Sequence, residues 1–193
     1  MSRGMAELTV VDVEALARRA RAGDHDALGE LYDRFRDRVV RFATGRLGDA
    51  EKAEDVTSET FEAMLRNLRG YRPGTDFEAW LFTIAHRRVA DHFRRQSRRR
   101  ELRLDEATAG PPADGVVAGG PEEAVLAAER RAEVAVAFRR LRPDQQEVLA
   151  LRVLGGLSAA QVGEVLGKSE GAVRVAQHRA LLDLRAAIGV TVR

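Results

Sequence analysis

Side chains that could do catalytic chemistry are few and poorly placed. The four histidines (His25, His86, His92 and His178) are scattered, with no carboxylate or second histidine at metal-ligand spacing. His86 and His92 are six residues apart and would not share a helix face. The sequence has no phosphate-binding glycine loop, no nucleophile elbow and no cysteine. It therefore predicts no catalytic residue, no metal site, no cofactor and no disulfide.

The residues from 158 onward have the arrangement of a DNA-binding helix-turn-helix. Ser158 would cap a short helix, Gln161 would complete its capping box, and Gly167 would end it. Ser169 would cap a final helix with an apolar inner side. Its outer face carries the candidate base-contacting residues, which together with the cap are Ser169, Glu170, Arg174, Val175, His178 and Arg179. Arginine can bond bidentately to guanine in the major groove; the alternative is a solvated helix of an ordinary helical domain.

A second candidate DNA surface is a basic helix that follows a short loop. Residues 86–103 hold eight arginines against two acids, a net charge of +6. Such density attracts phosphates and releases counterions on binding, although a charge run can also be a solvated face. In the preceding loop (residues 71–76), Tyr71 and Arg72 could hold an unstacked base, whereas Trp80 is interpreted as core. The candidate residues of the helix are Arg87, Arg88, Arg94, Arg95, Arg98, Arg99 and Arg100.

An acidic surface precedes that loop. Residues 47–65 hold six acids against one lysine, a net charge of −5. Asp55, Glu59 and Glu62 are spaced four and three residues apart, so they would share one helix face. Because an acidic face repels DNA, it is interpreted either as the site of a basic protein partner or as plain solvated surface.

These surfaces need helices to position them, and the apolar spacing predicts an all-α fold of two small domains. Neither half shows the alternation typical of strands. The segment 109–121 is rich in glycine and proline, and residues 104–129 hold six acids and no base. We therefore expect a helical domain over 12–98, a flexible acidic linker over 99–129 that leaves the domain spacing variable, and a helical domain over 130–187. The expected helices are 13–22, 26–47, 50–68, 76–98, 143–154, a short one after Ser158 and a final one after Ser169.

Composition narrows the class only moderately. The 193 residues carry a net charge of +2, and their 32 bases are 30 arginines and two lysines. Arginine enrichment suits phosphate contacts, but GC-rich coding would produce it equally well. Residues 1–20 lack the apolar run of a signal peptide, and no stretch approaches a membrane span. The expected compartment is the cytoplasm, with no membrane insertion of this chain.

Two segments make a family recognisable. Residues 54–95, EDVTSETFEAMLRNLRGYRPGTDFEAWLFTIAHRRVADHFRR, resemble region 2 of bacterial sigma factors. Residues 141–185, LRPDQQEVLALRVLGGLSAAQVGEVLGKSEGAVRVAQHRALLDLR, resemble their region 4. With only these two domains and a short connection, the chain is similar to the extracytoplasmic-function (ECF) group. The resemblance covers residues 24 to 187.

The resemblance implies a function for each surface. The acidic helix would dock on the β′ clamp helices of core RNA polymerase through Asp55, Glu59 and Glu62, and region 4 would meet the β flap. The loop at 70–76 and the start of the next helix would capture a flipped base of the −10 promoter element, and the arginine-rich helix would hold the DNA beside it. The final helix would read the −35 element, and the acidic linker would thread through RNA channels of the polymerase. Family members are commonly held inactive by an anti-sigma factor, which is an expected further partner.

One residue departs from the family pattern, and two other function classes stay open. Where many members carry Asn in an Ile-Ala-x-Asn stretch, this chain has Arg87, so the −10 preference at that position is open. A helix-turn-helix activator of the response-regulator type would match residues 141–185 equally well, but it would have an α/β receiver domain. A helical enzyme or protein-interaction module is the third class, and it requires that the basic helix bind no DNA.

Overall fold

The helices begin and end at residues that supply capping groups. The computed structural model describes residues 12–72, 74–102 and 121–189. Within these ranges the chain forms α-helices and short turns, with no extended strand, as the all-α prediction requires. The helices are α1 (Val13–Arg21), α2 (His25–Leu47), α3 (Ala50–Asn67), α4 (Phe77–Leu102), α5 (Pro121–Arg140), α6 (Pro143–Leu149), α7 (Ala159–Leu166) and α8 (Glu170–Ile188).

Aspartates start the first three helices. The Asp12, Asp24 and Asp49 carboxylates accept hydrogen bonds from backbone amides of the first turns of α1, α2 and α3, at 3.0, 3.1 and 3.1 Å. Each bond satisfies an amide that has no partner within its helix. Gly48 ends α2 in the left-handed conformation, with φ of +67°, where glycine lacks the steric cost that a side chain would bring.

The N-terminal module, α1 to α4, is built around the middle of α2. Leu31, Phe35, Val39 and Phe42 lie at helical spacing and are completely buried, since α1, α3 and α4 all pack against this helix. The buried positions of α4 end at Val89, and the side chains of residues 93–99 are exposed. Phe93, four residues after Val89, is itself exposed. The part of α4 over residues 93–99 therefore projects beyond the core.

Helical structure extends into both ends of the expected linker. α4 continues to Leu102, and α5 already begins at Pro121. Proline at a first helical position followed by two glutamates is a favourable helix start. The prediction of an irregular linker is therefore wrong for residues 99–102 and 121–129. Residues 103–120, which hold most of the glycines and prolines of the expected linker, lie outside the described ranges.

The N-terminal module packs directly against a C-terminal module that is formed by α5 to α8. α6 continues as a π-helical turn (Ala150–Leu154), which contacts α2, while α7 packs on α4. Buried side chains from both modules form one continuous cluster. Gly155 permits the close approach, because a Cβ there would lie 2.8 Å from the carbonyl oxygen of Leu151 and 2.9 Å from the ring of Phe82. The expected variable spacing is thus replaced by a closed arrangement, since apolar surface of each module is buried by the other.

Candidate nucleic-acid interface

The C-terminal module contains the helix-turn-helix that the sequence predicts. The Ser158 hydroxyl accepts from the Gln161 amide at 3.1 Å, and the Gln161 side chain accepts from the Ser158 amide at 2.7 Å. Gly167 ends α7 with φ of +65°, and the Ser169 hydroxyl caps α8 by accepting from Ala172 at 3.2 Å. Gly163 lets the turn close on α7, because a Cβ there would lie 2.6 Å from the carbonyl oxygen of Lys168.

One side of α8 is buried and the opposite side is open. Val173 and Ala180 are completely buried, which fixes the rotation of the helix about its axis. All six residues of the predicted DNA-contacting set are exposed: Ser169, Glu170, Arg174, Val175, His178 and Arg179. The Arg174 guanidinium bonds to the Glu170 carboxylate, through Nε at 3.1 Å and Nη2 at 2.5 Å. The face therefore offers hydrogen-bond donors and the apolar side chain of Val175 near the start of a projecting helix, a composition suited to base edges in a major groove.

The basic half of α4 is less free than its sequence suggests. Arg94 bonds to the carboxylate of Asp91, and Arg88 lies 4.0 Å from the same group. Arg95 pairs with Glu59 of α3 at 3.2 Å. Arg87 is exposed and belongs to none of the ion pairs within the described ranges. Binding of phosphate to Arg94 or Arg95 therefore requires exchange of an existing partner, whereas Arg87 needs none.

Tyr71 is not a surface residue. Its side chain is 1% exposed, and its ring packs edge-on against Phe77, with centroids 5.5 Å apart. The prediction that Tyr71 holds an unstacked base is thus contradicted in this arrangement, because the phenol is part of the core. Arg72, the next residue, is exposed. Trp80 is half-buried and packs against Tyr71 at 5.2 Å between ring centroids, which agrees with its interpretation as a core residue.

The acidic face of α3 is open over most of its length. Asp55 and Glu62 are exposed, and Glu62 pairs with Arg66 one turn later at 3.3 Å. Glu59 is half-buried because of its pair with Arg95. The sequence did not reveal that Glu54 is engaged on another side of the helix, where both its oxygens accept from Arg36 at 2.9 Å. Asp55 is left as the carboxylate of the predicted set that takes part in no ion pair within the described ranges.

Two arginines of α2 join the modules, and sequence reasoning missed both. Arg38 donates through Nε to the carbonyl oxygen of Gly155 at 2.9 Å and pairs with Glu78 at 2.8 Å. Arg46 is largely buried 3.7 Å from Glu147, and burial lowers the pKa of its guanidinium. A hydrogen bond with His86 is the main cause that lowers the pKa of the Glu147 carboxyl. The sequence indicated these contacts only weakly, because an arginine on an otherwise apolar helix face is also compatible with simple solvation.

The loop before α4 also meets the C-terminal module. The Asp76 carboxylate caps α4 by accepting from the Ala79 amide at 2.9 Å, and its other oxygen accepts from the Gln161 side chain at 2.9 Å. Gln161 therefore serves two roles, since it also closes the capping box of α7. The candidate −10 loop and the helix-turn-helix are in direct contact here.

Metal and membrane sites find no support in the described ranges. Among those residues, no three acidic or histidine side chains gather as metal ligands would. Every helix described is too short or too polar to cross a membrane. The features that stand out are thus the exposed faces of α8, α4 and α3.

Comparison with known protein families explains this combination of surfaces. The model for Sigma-70 region 2 matches residues 31–99, and that for Sigma-70 region 4 matches residues 131–184. The ECF RNA polymerase sigma factor ShbA of Streptomyces griseus is 39% identical, over 93% of this chain and 96% of ShbA. The chain belongs to the ECF sigma factors.

Other relatives of this ECF sigma factor agree with that placement. The ECF RNA polymerase sigma factor BldN of Streptomyces coelicolor is 45% identical over 88% of this chain, which spans 63% of the length of BldN. Among solved structures, CnrH in complex with the cytosolic domain of CnrY is similar, with a TM-score of 0.67 and 25% identity over 92% of this chain and 98% of CnrH. The response-regulator alternative is not favoured, because residues 31–99 match region 2 and are helical where described, rather than an α/β receiver.

Proposed function

We propose that this ECF sigma factor binds core RNA polymerase and directs it to initiate transcription at promoters with particular −10 and −35 elements. It contributes no catalytic group of its own, since the chemistry of RNA synthesis belongs to the polymerase. Its place of action is then the cytoplasm, where polymerase meets the chromosome.

The exposed N-terminal half of α8 carries the proposal. Arg174, Val175, His178 and Arg179 project from a helix whose rotation is fixed by two completely buried residues. In a helix-turn-helix these are the positions that reach base edges. We assign this face to the −35 element, and Ser169 and Glu170 border it at the helix start.

The N-terminal module takes the remaining roles. The α3 face of Asp55, Glu59 and Glu62 is suited to a basic surface of the polymerase and not to DNA. The exposed arginines of α4, with Arg72 in the preceding loop, lie where a displaced strand of the −10 element could be held. Arg87, like Arg72, Arg98 and Arg99, gives up no ion pair with a described residue to bind a phosphate.

The closed arrangement must open for both elements to be contacted. The −35 and −10 elements lie about 25 base pairs apart, which is about 85 Å of B-DNA at about 3.4 Å per base pair. Modules that touch through Asp76 and Gln161 cannot span that distance. The closed form is then a resting state, and binding to polymerase separates the modules.

A regulatory partner could hold the resting state. A protein that binds the closed form better than the open form shifts the equilibrium toward it. The similar structure of CnrH is a complex with the cytosolic domain of CnrY. We accordingly propose an anti-sigma factor as a partner of this protein.

Run-off transcription tests the proposed function. Purified core polymerase is supplied with genomic fragments, with and without this protein, and transcript starts are mapped. We expect defined starts only when the protein is present. Absence of any protein-dependent start, with competent core enzyme confirmed by a second sigma factor, would overturn the proposal.

A further inference from the structure

The loop from Tyr71 to Phe77 is held at both ends by one carboxylate from another helix. Glu14 lies in the first turn of α1, more than fifty residues away in the chain. Its Oε1 accepts a hydrogen bond from the backbone amide of Phe77 at 2.8 Å. Its Oε2 lies 2.5 Å from the hydroxyl oxygen of Tyr71. A single side chain thus joins the start of the loop to the first residue of α4.

Further hydrogen bonds join three described residues of this loop, Tyr71, Arg72 and Thr75. The Tyr71 hydroxyl also lies 2.5 Å from the carbonyl oxygen of Thr75, so its one proton is shared between two acceptors. Thr75 donates back to the carbonyl oxygen of Arg72 through its amide at 3.1 Å and its hydroxyl at 2.7 Å. The position of exposed Arg72 therefore depends on where Glu14 holds Tyr71 and Phe77.

The environment of Tyr71 favours a strong hydrogen bond to Glu14. Tyr71 is almost completely buried, and burial together with the Glu14 carboxylate raises the pKa of its phenol, so the hydroxyl remains a donor. Glu14 is half-buried, and a hydrogen bond to a charged acceptor is stronger than one between neutral groups. Oε1 also accepts a hydrogen bond from the Phe77 amide, which is one of the amides that a helix start leaves without a partner. The ring of Tyr71 then supports Trp80, with centroids 5.2 Å apart.

We propose that Glu14 is a positioning residue for −10 recognition: through Tyr71 and Phe77 it sets the positions of Arg72 and Thr75, beside which the −10 strand would bind. Glu14 acts through the loop and touches no DNA itself. The buried Tyr71, expected from the sequence to contact the base, instead transmits the position of α1 to the loop. This inference rests on the proposed function, since it assigns a role within −10 recognition.

The test compares variants in the assembled polymerase. The promoter found by run-off transcription supplies two labelled probes. One is a single strand with the −10 sequence, and the other is the same strand with one base replaced, the base whose replacement lowers transcription most. The ratio of the two affinities measures base discrimination, and a −35 duplex probe is measured alongside. Glu14→Ala removes both bonds, Glu14→Gln keeps one acceptor oxygen, and Tyr71→Phe removes only the hydroxyl. Asp33→Asn, which changes an exposed carboxylate on α2, is the matched control.

We expect discrimination at the −10 strand to fall about tenfold in Glu14→Ala, the scale of losing bonds to a charged group. Smaller losses are expected in Glu14→Gln and Tyr71→Phe, and none in Asp33→Asn. Affinity for the −35 duplex should stay within twofold, whereas general unfolding would lower both. If Glu14→Ala does not fold, the two milder variants decide.

Two negative results are distinguishable. Wild-type discrimination in all three folded variants would overturn the role of Glu14 and leave the proposed function intact. A wild-type holoenzyme that binds the two −10 strands equally would instead contradict the proposed function, and the inference with it.

Discussion

At the scale of single residues, the two arginines of the α8 face differ in what they must give up to bind DNA. Arg174 is held by Glu170 one turn earlier, whereas Arg179 takes part in no ion pair within the described ranges. An exposed pair of this kind contributes little stability, so the guanidinium of Arg174 can exchange Glu170 for a base at low cost. Both arginines are therefore available for −35 recognition.

Arg174→Ala or Arg179→Ala should weaken binding to the −35 duplex about tenfold or more, because a bidentate contact to guanine contributes about 1–3 kcal/mol. Affinity for core polymerase should not change. Binding is measured by fluorescence anisotropy with cognate and base-substituted duplexes. Arg185→Ala, exposed in the last turn of the same helix, is the control. Equal losses on both duplexes would point to phosphate contacts and contradict base recognition.

At the scale of elements, α3 has two kinds of acidic residue. Glu54 and Glu59 are tied to arginines of α2 and α4 and help to hold the N-terminal module together. Asp55 and Glu62 point to solvent, with only a pair along the helix itself for Glu62. The part of the face that is free for a partner is thus narrower than the run of acids in the sequence.

Reversing charge on this face should weaken polymerase binding and spare DNA recognition. We expect Asp55→Arg with Glu62→Arg to lose affinity for core polymerase by about a hundredfold or more, since like charges would meet across the interface. Binding of the free protein to the −35 duplex should not decrease. Asp33→Arg, on exposed α2 surface, makes a control for charge reversal. Unchanged assembly with core polymerase would exclude this face as the docking site.

At the scale of the whole molecule, the two modules form one packed unit in place of two independent domains. Arg38 is central to that contact, because its guanidinium bonds to Gly155 and Glu78 and lies over the rings of Phe35 and Phe82, 5.1 and 5.5 Å from their centroids. Removing this side chain would leave the Gly155 carbonyl without its donor at the contact between modules. The closed form would then be weaker without any change in the DNA-contacting face of α8.

Arg38→Ala should therefore shift the protein toward an open form. Since the sequence contains no cysteine, Asp33→Cys with Ala187→Cys gives a unique pair of labels at exposed positions of α2 and α8. We expect energy transfer between them to fall in Arg38→Ala and to fall in the wild type when core polymerase binds. Arg41→Ala, exposed on the same helix, should behave as the wild type. Equal transfer in all variants and states would contradict opening.

The sequence by itself determined seven of the eight helices described, the helix-turn-helix and the family, because these depend on local patterns; α5 (Pro121–Arg140) was not expected. Ser158, Gly167 and Ser169 cap the helix ends next to them in the chain, so their role can be predicted from a few adjacent residues. The same holds for the exposed face of α8, whose rotation follows from the spacing of Val173 and Ala180. Region 2 could be recognised for a similar reason, as a continuous motif.

Only the tertiary structure decided which charged and aromatic residues are free. Glu14 and Tyr71 are 57 residues apart in the chain, a separation shared by many pairs that are not in contact. No sequence pattern near either residue indicates that one carboxylate bonds to both ends of the loop before α4. Arg38 and Gly155 are separated by a still longer stretch of chain, and their contact depends on how two modules fit together. The physical reason is that burial and ion pairing are properties of contacts between distant segments, whereas capping and periodicity are properties of adjacent residues.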